Sequence, residues 1–278
     1  MKRFAIAIAA CALLAAPAIA GDHGSSHGGG HGDAHAAKHG EDAGAACVGF
    51  GPQTPRDISN ISGKNKAVFN IAPPASEMNL CNIHFHENAE HKAEGFSIYA
   101  GDGNHGYDSG YKCNISTKLS AAELAPTKEK VCSSEHGDLV PGDTIEVHWV
   151  HSTCDVQPGP TLGSCLSKAC NNPELRVETQ VFTLVNDKHA LNFNDLKAAG
   201  DLPTNTGKPV EFTGSTTGPS YSEQTCSPYQ VTWNVRPGCA RLDINSVAQW
   251  CKGNVFKEDH AHGVRKLVTN PELLSHIN

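Results

Sequence analysis

Beyond residue 20 the sequence has no apolar run long enough to span a bilayer, so no membrane-crossing helix is expected there. Lys and Arg form no cluster in that part either. With a formal net charge of −7, the electrostatic footprint of a nucleic-acid binder is missing, and nucleic acid is not an expected partner. No two cysteines are spaced C-x-x-C, which argues against a zinc site built on cysteine. Helical signals are sparse. Ser120-Ala121-Ala122-Glu123 has the S-x-x-E form of a capping box, and Asn194–Ala199 and Ile244–Trp250 are short candidates.

What is present divides the chain into three parts. Residues 1–20 have a basic start at Lys2 and Arg3, an apolar middle and the small-residue signal Ala18-Ile19-Ala20. That is the pattern of a secretory signal peptide, so the mature chain is expected to be secreted, and together with the composition it points to a bacterial periplasm as the expected location. Cys11 follows Ile8-Ala9-Ala10 as in an acylated lipoprotein, but the apolar stretch before it is too short. Of the eleven cysteines, the others (Cys47, Cys81, Cys113, Cys132, Cys154, Cys165, Cys170, Cys226, Cys239 and Cys251) make an even set, which predicts disulfides in an oxidising compartment. Residues 21–46 are Gly, His, Ala, Ser and Asp apart from Lys38 and Glu41, and cannot bury a core, so disorder is expected. Their histidines recur in steps of four at His23, His27, His31, His35 and His39. Such a tail is expected to collect additional metal ions, but nothing fixes its geometry for catalysis.

From Cys47 to residue 278 the chain reads as one globular domain, mainly β with a minor α component. Lys66–Ile71, Asn79–His86, Gly95–Ala100, Thr144–His151, Glu178–Leu184 and Gln230–Val235 are β-branched or aromatic runs between turn residues, the pattern of strands.

Two of these runs carry a metal-ligand pattern. In Asn82-Ile83-His84-Phe85-His86, a strand's period of two puts Asn82, His84 and His86 on one face. In Thr144–Cys154, Glu146, His148 and Val150 share a face, while His151 lies on the other. If the two strands are neighbours, His148 completes a three-histidine site. Neutral ligands leave a zinc ion its full charge, and three of them leave a fourth position for water, the arrangement of a catalytic site. Asn82 and Glu146, two residues before His84 and His148, are acceptors for the rings' second N–H groups. Cys81 and Cys154, near the site, are read as disulfide partners rather than ligands.

These residues resemble a carbonic anhydrase. Asn82-Ile83-His84-Phe85-His86 is similar to the α-class Q-x-H-x-H, with Asn for Gln, and Glu90-His91 to the E-H pair after it. Glu146-Val147-His148-Trp149-Val150-His151 resembles E-x-H-x-V-H. Gly214-Ser215-Thr216-Thr217-Gly218-Pro219 is similar to G-S-x-T-T-P, Cys226–Trp233 to C-S-x-x-V-T-W, and Cys47–Pro55 to C-x-G-x-x-Q-S-P. The fuller strings NIHFHENAEHKAEGFS and EVHWVHSTC lie closer to the δ class, although the segment before Cys226 is longer than in α enzymes.

The resemblance implies a single domain around a large, mostly antiparallel twisted β-sheet with few short helices. It implies zinc on His84, His86 and His148, and hydration of carbon dioxide to bicarbonate and a proton by hydroxide at that zinc. Thr217, or Thr216 if the loop register slips by one, is implied to orient the hydroxide, with Glu90 orienting the threonine. Val150 and Trp233 are implied as the apolar wall for carbon dioxide, and Cys47–Cys226 as a disulfide. A proton shuttle is needed, and His91, His105 and His136 are open candidates. Two other readings stand beside this one. A cupin would use His84, His86 and Glu90 as ligands, with iron or manganese; a non-catalytic periplasmic metal carrier would act through the tail.

Overall fold

Two segments dense in β-branched residues, Thr144–Ser152 and Leu175–Val185, form the centre of the fold in the computed structural model, and both are buried along their whole length. The structure describes residues 47–278 apart from 105, 171 and 219. The signal peptide and the histidine-rich segment expected at 1–20 and 21–46 lie outside the described residues.

The strands, in chain order, are β1 (Asn79–Glu87), β2 (Ile98–Asn104), β3 (Tyr107–Lys112), β4 (Val131–Ser134), β5 (Gly137–Leu139), β6 (Thr144–Ser152), β7 (Leu175–Val185), β8 (Val210–Ser215) and β9 (Gln230–Asp243). The helix α1 (Ile244–Cys251) follows. The main sheet has the order β1-β6-β7-β9-β8, while β2-β3 and β4-β5 are separate two-stranded ribbons. Only the β7–β9 pairing within the main sheet is parallel. The sheet is therefore mixed, though mostly antiparallel. Pro237 lies inside β9, where the partners step from Thr179↔Val235 to Val181↔Cys239. The extra residues there form an irregularity that accommodates a residue unable to donate to the ladder.

The main sheet is covered on both faces, and the alternation of each strand decides what goes where. On one face Ile83 and Phe85, Val147 and Trp149, and Phe182 pack with Ile244, Val247 and Trp250 of α1. The spacing of those helix residues is that of one buried helical face. Asp243 caps the helix by accepting from Asn245 N at 3.1 Å. Opposite, Val150, Val177, Val181, Trp233 and Val235 form a second cluster. That second face is shared between the apolar cluster and polar side chains such as His84, His86 and His148.

All ten described cysteines are paired: Cys47–Cys226, Cys81–Cys165, Cys113–Cys239, Cys132–Cys251 and Cys154–Cys170. Among the described residues no helix is long and apolar enough to cross a membrane.

Three expectations change. Lys66–Ile71 is an irregular exposed segment, with Val68 at 92% exposure. Its apolar residues have no partner strand and no core to face, and sequence pattern alone cannot supply either. The strand expected at Gly95–Ala100 begins at Ile98, because Gly95 is taken up in donating to Pro237 O at 3.0 Å. A Cβ on Gly95 would stand 2.5 Å from that oxygen. In place of a helix over Asn194–Ala199 there are two single 3₁₀ turns, Phe193–Asp195 and Ala199–Asp201. The box at Ser120 forms as expected: Ser120 N donates to Glu123 Oε2 at 2.8 Å, and Glu123 N to Ser120 Oγ at 3.3 Å.

Candidate metal centre

The antiparallel register of β1 and β6 sets His84 opposite His148, His86 opposite Glu146 and Asn82 opposite Val150. Cross-strand partners share a face, so the six side chains stand together on the face away from α1. An irregularity between Leu80 and Asn82 inserts Cys81, which is bridged to Cys165 at the edge of this cluster. The three imidazole centroids form a near-regular triangle, with sides of 5.2, 5.1 and 4.9 Å.

One nitrogen of each ring is committed to an oxygen. His84 Nδ1 donates to Asn82 Oδ1 at 2.5 Å, His86 Nδ1 to Gly263 O at 2.9 Å, and His148 Nε2 to Glu146 Oε1 at 2.8 Å. A neutral imidazole has one N–H, so the other nitrogens, His84 Nε2, His86 Nε2 and His148 Nδ1, carry lone pairs. His86 Nε2 is buried with no hydrogen-bond partner. His148 Nδ1 and His84 Nε2 face each other at 3.3 Å, with both ring protons already given away. The three ligand atoms lie within 4.8 Å of one another. A tetrahedral zinc with Zn–N bonds of about 2.0–2.1 Å holds its nitrogens roughly 3.3 Å apart. Three converging nitrogens, each left with a lone pair because its ring donates through the other nitrogen, fit such an ion.

Burial and neighbouring charge keep the rings of His84 and His86 neutral. Burial first, then the neighbouring His148, His86 and His262, pushes His84 well below the ordinary imidazole value. Burial likewise lowers His86 to about 4, against the lift of Glu90.

Glu146 is fully buried. Burial raises its carboxyl, but the imidazoles of His91 and His148, and their hydrogen bonds, outweigh that and hold it far below the usual range. His91 Nδ1 donates to Glu146 Oε1 at 2.7 Å, and His91 N to Oε2 at 3.1 Å. Those bonds remove His91 from the shuttle candidates. Its ring is wholly buried against Trp233, centroids 4.7 Å apart, without access to water. His136 is stacked on Tyr107 at 3.6 Å and does not line the cavity described next. His105 lies outside the described residues.

The histidines open into a cavity of about 1200 Å³. Val150, Val177, Val231 and Trp233 line one side, and the loop of Thr216 and Thr217 lines another. Thr217 Oγ1 donates to Glu90 Oε1 at 3.0 Å, whereas Thr216 Oγ1 is buried against Ser227 Oγ at 2.9 Å. Glu90 Oε2 accepts from Arg265 N at 3.0 Å. Both carboxylate oxygens of Glu90 are therefore engaged, which disfavours the cupin arrangement in which Glu90 is a ligand. The Cys47–Cys226 bridge ties the start of the domain to the end of the threonine loop.

Sequence reasoning missed the stretch 258–265. It supplies Gly263 O to His86, Arg265 N to Glu90, and His262, whose ring stacks on His84 at 5.3 Å. The available signal was Glu258-Asp259-His260-Ala261-His262, a second H-x-H. Nothing local indicates that it folds back beside β1.

A family model described as Delta carbonic anhydrase matches residues 75–246. No curated protein matches the chain. Among solved structures, the α-carbonic anhydrase of Photobacterium profundum is 17% identical, with 81% of this chain and 89% of that chain covered and a TM-score of 0.26. The α-carbonic anhydrase of Thermovibrio ammonificans, solved with the inhibitor sulfanilamide, is 15% identical over 81% of this chain and 87% of that one, TM-score 0.28. A hyperthermostable carbonic anhydrase identified from a hydrothermal vent chimney is 16% identical over 82% and 93%, TM-score 0.24. At such scores these likenesses carry no weight beside the family match.

Proposed function

Because the chain belongs to the delta carbonic anhydrase family, we propose that it hydrates carbon dioxide reversibly to bicarbonate and a proton at a zinc ion held by His84, His86 and His148. The observation that carries this reading is the convergence of three lone-pair nitrogens whose rings are each locked through the other nitrogen. A bound zinc would supply the positive charge that makes water acidic enough to serve as hydroxide near neutral pH.

The chain's own residues do the rest. Asn82, Gly263 and Glu146 hold the tautomers that aim lone pairs inward. Thr217 has given its hydrogen to Glu90, so its oxygen is left as an acceptor. It can take a hydrogen bond only from the O–H of the attacking oxygen, which turns that oxygen's free lone pair away from Thr217 and toward the substrate. Val150 and Trp233, on the cavity wall, offer apolar contact to carbon dioxide and none of the hydrogen bonds that would hold bicarbonate. Products leave through the same open cavity. The five disulfides support secretion to an oxidising compartment, for which we propose the periplasm. Catalysis is assigned to the domain from Cys47 onward, with the histidine tail as an accessory collector of metal.

Stopped-flow carbon dioxide hydration tests this on zinc-loaded protein, with and without chelator, and on His148→Ala. The wild type should run well above buffer, and chelation or His148→Ala should return the rate to the buffer value. A zinc-loaded wild type no faster than buffer would overturn the proposal.

A further inference from the structure

Asn82 fixes the tautomer of His84 only if its own amide points the right way, and the structure shows what decides that. An asparagine amide presents a carbonyl on one side and two N–H groups on the other, and it can flip. Asn82 is fully buried. Its Nδ2 donates to Gly159 O at 2.9 Å and to Glu258 Oε1 at 3.0 Å. With both N–H groups given to oxygens, Oδ1 must face His84. Glu258 is itself buried at 5% exposure. Its Oε1 also accepts from Thr161 N at 2.9 Å, and its Oε2 accepts from His262 Nε2 at 2.8 Å. The His262 ring lies nearly parallel to His84 at 5.3 Å.

We propose that Glu258 is a positioning residue for the metal site: it locks the Asn82 amide, and through it the Nδ1–H tautomer of His84, and it seats His262 against the same ring. Without the carboxylate, one buried N–H of Asn82 loses its partner. The flipped amide then costs less and would place N–H groups against His84 Nδ1. That forces the proton onto Nε2, the nitrogen that must bind metal. Glu258 lies outside the residues 75–246 that the family model matches. The proposal rests on the reading of His84, His86 and His148 as zinc ligands.

The test is zinc affinity of the full chain, by competition with a chromophoric chelator for the tightest site, on Glu258→Ala, Glu258→Gln and the control Val268→Ala. Val268 is as deeply buried but sits in a separate cluster. Losing an outer partner of a metal-bound histidine typically costs 10–100-fold in affinity, and Glu258→Ala should fall in that range. Glu258→Gln keeps an oxygen for Asn82 and should stay within about threefold of wild type, while Val268→Ala should lower stability and leave zinc affinity unchanged. Should Glu258→Ala fail to fold, Glu258→Asp withdraws the carboxylate by one methylene and should weaken zinc in the same direction. Wild-type affinity in the Ala or Asp variant, or an equal loss in Val268→Ala, would overturn the lock while leaving the zinc site intact. A wild type that binds no zinc in the domain would overturn both.

Discussion

At the scale of single residues, the site depends on which nitrogen carries each proton, more than on how many histidines are present. Three imidazoles could meet in many ways. Here each is forced into one tautomer by an oxygen that can only accept. The same economy governs Thr217, whose single hydrogen is committed to Glu90. Thr217→Ala should therefore lower turnover by about 10²-fold, the scale on which misplacement of reacting groups is felt. Zinc content should not change. Thr216→Ala should act instead through the loop, because its hydroxyl is tied to Ser227. Steady-state hydration rates with zinc analysis separate the two, and an unchanged turnover in Thr217→Ala would assign the role elsewhere. His84, His86 and His148 were legible as a candidate set because strand alternation converts spacing into facing. Gly263, Glu258 and Arg265 were not, because a backbone carbonyl and a distant carboxylate leave no periodic trace.

At the scale of elements, β1 works because its two faces have different tasks. His84 and His86 look into the cavity, while Ile83 and Phe85 are buried on the helix side. Phe85 is 5.8 Å from Trp250 and 6.2 Å from Phe193, centroid to centroid. Phe85→Ala removes that anchor and should destabilise the zinc-free protein by about 3–5 kcal/mol in urea unfolding, the usual cost of emptying an aromatic site. A loss under about 1 kcal/mol would mean that β1 is held mainly by its hydrogen bonds to β6. The strands with strong alternation, β1, β6 and β7, were legible for the same reason that they are well anchored. Lys66–Ile71 carries a similar pattern and forms no strand. A strand needs a neighbour to satisfy its backbone, and that neighbour is specified elsewhere in the chain. The parallel pairing of β7 with β9 was equally hidden, since it joins segments separated by β8.

At the scale of the whole molecule, the buried histidines make stability depend on pH. His151 lies on the face opposite the metal site and donates from Nδ1 to Trp149 O at 3.0 Å. Burial first, with Arg176 adding to it, lowers its imidazole to about 4 from an ordinary 6.5, against the lift of that carbonyl. The unfolded chain takes up this proton as pH falls through 6.5, but the folded chain refuses it until about 4. Stability is therefore lost progressively across that window and the loss is complete below it, on the order of 3 kcal/mol for this one group. Urea unfolding of the zinc-free protein at pH 7 and pH 4, disulfides intact, measures the slope. His151→Asn keeps a donor for the carbonyl and cannot titrate, so its stability should fall less between those pH values. An identical fall in both proteins would assign the acid sensitivity to other groups. The even cysteine count was enough to foresee a stapled domain. Which cysteines meet depends on the sheet order, and spacing does not contain it.

All of these scales converge on one small volume between β1 and β6. Crystals of the zinc-loaded chain, measured on either side of the zinc absorption edge, would locate the metal directly. A domain anomalous peak is expected about 2.0–2.1 Å from His84 Nε2, His86 Nε2 and His148 Nδ1, with one further ligand from solvent. A domain zinc bound through any other nitrogen of these rings, held by Glu90, or sited away from the three histidines would contradict the account.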